Sequence, residues 1–213
     1  MRIRISYKKN LPLRFTSALD IQSIWERTIR RDGLPLAYSR GFHPKPKIQL
    51  GLPLPLGFIS DDEKVDIWLE KDIKINNHAN NLQLKLPDGL MIKRIEEIME
   101  KEKPLVTKLV SSEYLIKLWD QSLLGNNYNA LIASILKKEN IIRTKRNGKK
   151  YNLRPLIYDL RNDVCEPGKS DYSLYMKLAS AQNRMGRADE VMFALGFSLD
   201  EFLVLRLRSN SYE

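Results

Sequence analysis

The chain has 213 residues, 43% apolar and 29% charged, with a formal net charge of +10. This is an ordinary globular composition, enough for one large domain or two small ones, and no run approaches the roughly 18 apolar residues of a membrane span. A single cysteine, Cys165, excludes an internal disulfide, and with only two histidines, His43 and His78, the chain lacks the ligands for an iron–sulfur cluster or a structural zinc of its own.

In chain order, Ile3, Ile5 and Tyr7 alternate with Arg2, Arg4, Ser6 and Lys8, which predicts a strand with one buried face and one basic outer face, not a signal peptide. Thr16 or Ser17 then caps a helix, with Asp20 three residues after Ser17 as in a capping box. Ile21, Ile24, Trp25 and Ile29 form its core-facing stripe, and Gly33 ends it just after Arg30 and Arg31. A Pro-marked loop leads to a strand over 48–52, and residues 51–57 read as an ordered extended loop. Asp61, Asp62 and Glu63 read as a solvated turn, Val65, Ile67 and Leu69 as a strand, 75–86 as a helix with His78 on its exposed surface, and 90–95 as a strand. The order is β-α-β-β-α-β, the split βαβ or ferredoxin-like pattern.

Lys101 to Pro104 reads as a junction, after which the pattern begins again. Tyr114, Ile116 and Leu118 alternate as a strand, and Tyr128, Leu131, Ile132, Ile135 and Leu136 mark a helix face. Residues 141–145 and 149–153 flank Arg146-Asn147-Gly148, a hairpin signal. Tyr172 to Leu178 predicts a strand, Ala188 to Leu195 a helix, and Phe202 to Leu207 a last strand. The expected fold is α+β, with two tandem ferredoxin-like halves, 1–103 and 104–213, and an added basic hairpin over 141–153 in the second. A single larger α+β domain with an inserted hairpin is the alternative.

Charge is concentrated in two stretches. Residues 1–50 hold eleven Lys/Arg against three Asp/Glu, and residues 137–154 hold eight against one. Such clustering points to a polyanion more than to general solubility.

The stretch from Leu13 to Ile21, with Glu26 to Arg31, Leu34 to Lys47 and Gly51 to Gly57, strongly resembles the radical-SAM-linked protein family. The resemblance is dense over residues 1–70 and thins to Asn152–Pro155 and Gly186–Asp189. It implies a small domain of uncharacterised function that works beside, or fused behind, a radical SAM enzyme. Ala18 stands where that family usually has histidine, and Ala188 where proline is common.

Arg40-Gly41-Phe42-His43-Pro44-Lys45-Pro46-Lys47 is the best candidate ligand loop, because flat rings interleaved with cations suit unpaired bases and phosphates. Arg27, Arg30 and Arg31, on the helix face away from the stripe, are further candidates, with Asp20 available to orient an arginine. Arg143, Lys145, Arg146, Lys149 and Lys150 make the hairpin a second candidate, a basic ribbon able to track a phosphate backbone, the alternative being an exposed edge kept soluble by lysine. No nucleophile or second histidine is spaced beside His43, and Cys165 has acidic neighbours that disfavour a thiolate, so no catalytic residue, cofactor or metal is expected. The leading expectation is a cytoplasmic, non-catalytic module that binds RNA for a partner radical SAM enzyme, away from any membrane. The alternatives are a metal-independent endoribonuclease resembling the CRISPR repeat-processing enzymes, with Tyr38, His43 and Lys45 as its acid–base set, and a protein-binding adaptor without nucleic acid.

Overall fold

The computed structural model describes residues 1–99, 101–120, 128–145, 147–162, 174–181 and 183–211. The protein is α+β, with antiparallel sheets and four α-helices among the described residues, in two compact units, Met1–Lys108 and Leu109–Glu213.

In the first unit β1 (Arg2–Lys9) precedes α1 (Ala18–Arg31), β2 (Ile48–Leu50), β3 (Phe58–Trp68), α2 (Ala79–Lys85) and β4 (Leu90–Ile98). All pairings are antiparallel and the strand order is β2-β3-β1-β4. Ile3, Ile5, Tyr7, Val65 and Ile67 are buried with Ile21, Trp25 and Ile29 of α1 and Leu82 of α2, and the Trp25 ring meets Tyr7 edge-on at 5.0 Å. The apolar stripe of α1 thus does what its spacing requires. Its start is a complete capping box between Ser17 and Asp20. Its end is a Schellman turn, in which Gly33 (φ 75°) donates to the Arg30 carbonyl and Leu34 to the Ile29 carbonyl.

The other face of β1 is not the basic outer surface its alternation predicts. Arg2 and Arg4 are buried and both bind Asp66, which is wholly buried on β3. Arg2 also donates to the Glu102 carbonyl (2.7 Å) and Arg4 to the Glu102 carboxylate (2.9 Å), so the segment after β4 covers this face. A period of two shows that a strand has two faces; it does not show what later chain will cover the second. Nor do Asp61, Asp62 and Glu63 form a turn. They lie within β3, where Lys8 pairs with Asp61 at 2.8 Å and Glu63 is buried opposite Tyr7. Basic neighbours on the adjoining strands let an acidic run stay extended.

In the second unit β5 (Leu109–Leu118) precedes α3 (Tyr128–Lys137), a hairpin of β6 (Ile142–Thr144) and β7 (Lys150–Asn152), β8 (Ile157–Asn162), β9 (Leu174–Ala181), β10 (Arg184–Met185), α4 (Ala188–Ala194) and β11 (Phe202–Ser211). Antiparallel pairing gives the order β8-β9-β5-β11, with β10 against the end of β9. Ile116, Leu174, Met176, Leu178 and Val204 are buried, as are Ile135 of α3 and Val191 and Met192 of α4. Among the described residues the hairpin strands pair with each other alone, turning through Gly148 (φ 77°), whose N–H donates to the Lys145 carbonyl.

Candidate nucleic-acid interface

The loop after α1 is built as a rigid stem with an open tip. Ala37 N–H donates to the Trp68 carbonyl (2.9 Å) and Trp68 N–H to the Lys47 carbonyl (3.0 Å), which fixes both ends of the loop to the end of β3. Lys47 N–H then donates to the Ala37 carbonyl and Ser39 N–H to the Lys45 carbonyl, both at 2.8 Å. The Lys45 N–H closes the stem on Ser39 Oγ at 2.9 Å. Pro44 and Pro46 have no N–H to satisfy and hold φ fixed, so this small set of bonds suffices. Gly41, at φ 137°, takes a backbone conformation that other residues rarely adopt.

At the tip Arg40, Phe42, His43 and Pro44 are exposed, and Phe42 is fully so, at 103%. Those bonds close the loop below its tip, and the Phe42 ring stands there clear of the core; an exposed aromatic ring in that position suits a partner surface. Lys45 and Lys47 are exposed on the stem, and Tyr38, partly exposed, pairs with Pro46 across it. Among the described residues no carboxylate lies within ion-pair distance of Arg40, Lys45 or Lys47.

Of the α1 arginines, Arg27, Arg30 and Arg31 are all exposed. Arg30 lies 3.7 Å from Glu26. Asp20 does not orient an arginine through direct contact, because its carboxylate is held by Ser17 Oγ (2.6 Å) and the Ser17 N–H. Those bonds, with a smaller contribution from the Arg27 charge, keep its pKa below the usual carboxylate range. Three residues beyond Gly33 the chain bridges Leu36 to Leu69, just past β3, and then enters the stem.

The hairpin divides. Lys149 and Lys150 are exposed. Arg143 is engaged instead, its Nε 2.5 Å from Glu190 and its guanidinium 5.8 Å from the Phe193 ring, while the Lys145 ammonium lies 5.5 Å from the Tyr151 ring. Arg146 and Cys165 lie outside the described residues.

His78 is not simple helix surface. Its Nδ1 is 2.5 Å from Asp32, which Lys85 also binds, so the C-cap of α1 is tied to the start and end of α2. Burial raises the Asp32 pKa, and the bonds from Lys85 and His78 more than offset this, holding it below the ordinary value. Pairs 46 and 53 residues apart leave no periodic signal, which is why sequence reasoning missed them. It also missed a cleft in the second unit, between the hairpin and α4. Among the described residues no group of three or more His, Cys, Asp or Glu is placed to hold a metal ion, and no helix is long and apolar enough to cross a membrane.

A solved chain in a crystal structure of a Cbf5-Nop10-Gar1 complex is similar at 12% identity, with a TM-score of 0.46. The match covers 96% of this protein and 48% of that chain, so this protein spans about half its length. No curated protein matches. A family model matches residues 2–188, nearly the whole chain, and the protein therefore belongs to the family described as "Uncharacterized protein conserved in bacteria (DUF2344)".

Proposed function

We propose that the protein is a non-catalytic, cytoplasmic module that binds RNA, and that it does so for a partner radical SAM enzyme. The observation that carries the RNA reading is the fully exposed Phe42, beside His43 and Arg40 at the tip of a loop whose stem, with Lys45, is closed by hydrogen bonds. Such a loop can stack a ring on an unpaired base while its cations meet the flanking phosphates. The radical SAM partner rests on the motif resemblance over residues 1–70.

In this reading each unit is a ferredoxin-like fold. The orders β2-β3-β1-β4 and β8-β9-β5-β11 support it, because a split βαβ places its third strand between the first two and its fourth beside the first. The β6–β7 hairpin is then an addition within the second unit.

The reading is tested by incubating the purified protein with labelled single-stranded and stem-loop RNA in EDTA. It predicts a retarded complex with the RNA intact. Cleavage under these conditions would favour the endoribonuclease instead, and no retardation at low salt would remove RNA from the account.

A further inference from the structure

The cleft of the second unit has a volume of about 1030 Å³, at the top of the range of small-ligand and cofactor sites. One wall is the hairpin, with Lys145 and Tyr151; the other is β10 and α4, with Arg184 and Phe193. Two short sequence stretches that lie far apart in the chain, Asn152–Pro155 and Gly186–Asp189, meet around it.

These stretches build the walls. Asn152 Oδ1 accepts from the Ile141 N–H (2.9 Å) and the Arg154 N–H (3.1 Å), and Arg154 binds the Leu136 carbonyl through two nitrogens. Gly186 lets β10 approach, since a Cβ there would lie 3.1 Å from the Leu156 carbonyl oxygen and 3.1 Å from the Leu178 Cβ.

The charges sort into committed and uncommitted. Arg187 is committed to Asp189 and Arg143 to Glu190. Among the described residues neither Lys145 nor Arg184 meets a carboxylate; Arg184 donates to the Pro155 carbonyl at 3.5 Å. The cleft therefore combines two cations without a carboxylate partner, two aromatic rings that line it, each with one face toward a cation (Lys145 for Tyr151, Arg143 for Phe193), and exposed side-chain amides at Asn147 and Asn183.

We infer that this cleft binds one nucleotide, its phosphate on Lys145 and Arg184, its base against Tyr151 or Phe193, and the polar edge of the base toward the amides. A purely anionic ligand would not use the rings, and a purely apolar one would leave the cations and amides unpaired. The site is separate from the Arg40–Lys47 loop and does not depend on it. Nucleotide chemistry has two sources, a free nucleoside monophosphate or one unpaired residue of an RNA strand.

Calorimetric titration of the full chain with the four nucleoside 5′-monophosphates, with inorganic phosphate, with a nucleoside and with a short single-stranded oligoribonucleotide separates these. Saturable binding of a monophosphate, tighter than that of phosphate or nucleoside alone, is the result expected for a free nucleotide. If only the oligonucleotide binds, and Arg184→Ala with Asn183→Ala weakens it, the nucleotide belongs to a strand. Losing Arg184 is expected to weaken the ligand about tenfold or more, as removal of a charge-assisted bond does. Arg184 and Asn183 are exposed, so unchanged melting of this variant is expected. Phe42→Ala should leave monophosphate binding unchanged, which keeps failure of the cleft distinct from failure of the loop. The inference is overturned if no monophosphate binds and the cleft variant binds oligonucleotide like the wild type, or if a bound monophosphate ignores the variant.

Discussion

The charges nearest each other in sequence do different things. Arg2 and Arg4 are structural: both bind Asp66, which no solvent reaches. Removing Asp66 would leave two buried guanidinium groups with one partner fewer. Asp66→Asn should therefore cost about 3–5 kcal/mol in urea denaturation, whereas replacing Lys45 or Lys47, exposed on the loop, should change stability by at most about 0.5 kcal/mol. Equal losses would mean that the buried cluster contributes nothing special.

Carboxylates with cationic partners make the fold acid-sensitive. The bond from Arg4 holds Glu102 below its ordinary pKa. Burial raises Glu113, and the bonds from Arg208 and Asn210 more than reverse this. Asp32 behaves in the same sense as Glu113. A depressed folded-state pKa adds stability that is present above the unfolded value, near about 4, and is lost as pH falls through the folded value. The urea midpoint should fall from about pH 5 downward, and Asp32→Asn should be less stable at neutral pH with a shallower acid loss. A variant with the wild-type pH profile would show that the Asp32 tie to His78 and Lys85 is unimportant.

Among elements, α1 was the most legible, because its cap, stripe and terminator are all local signals. Ser17→Ala should cost about 1 kcal/mol by thermal or urea unfolding, through loss of the capping box. The hairpin was legible from Asn147-Gly148 for the same reason. β8 leaves no strand signal in the sequence: Ile157, Leu160 and their neighbours follow Pro155 without clean alternation, and the strand exists because β9 pairs with it. β10, two residues long, carries no periodicity at all. On the hairpin, Lys149 and Lys150 are exposed while Arg143 is engaged with Glu190. Lys149→Ala with Lys150→Ala should thus weaken all RNAs about equally and lower the salt slope, since lysines neutralise phosphate and read little sequence. A changed ranking of RNAs in that variant would contradict this.

For the molecule as a whole, the net charge of +10 overstates what a polyanion meets. In the first unit Arg2, Arg4 and Lys9 are buried, Lys8 pairs with Asp61 and Arg30 lies near Glu26. Of the eleven Lys/Arg in residues 1–50, those left are Arg40, Lys45 and Lys47 on the loop, Arg27 and Arg31 on α1, and Arg14, whose guanidinium lies 4.4 Å from the Phe15 ring. Composition located the basic stretch, and the Gly/Pro pattern marked the loop. Which cations are spent internally depended on Asp66 and Glu102, some 60 to 100 residues away in sequence, and so was illegible.

In the proposed reading Phe42 and the cations around it meet an unpaired RNA strand. This is tested most directly by fluorescence anisotropy of a labelled single-stranded RNA with the wild type and Phe42→Ala across a salt series. Because Phe42 is fully exposed, the variant should melt at the wild-type temperature. Wild-type affinity should fall with salt at a log–log slope of roughly 0.7 per phosphate met. The variant should keep that slope and lose the stacking contribution, about 1–3 kcal/mol or some 5- to 150-fold in affinity. A folded Phe42→Ala protein that binds RNA as tightly as the wild type, or a wild-type affinity that does not change with salt, would contradict the account.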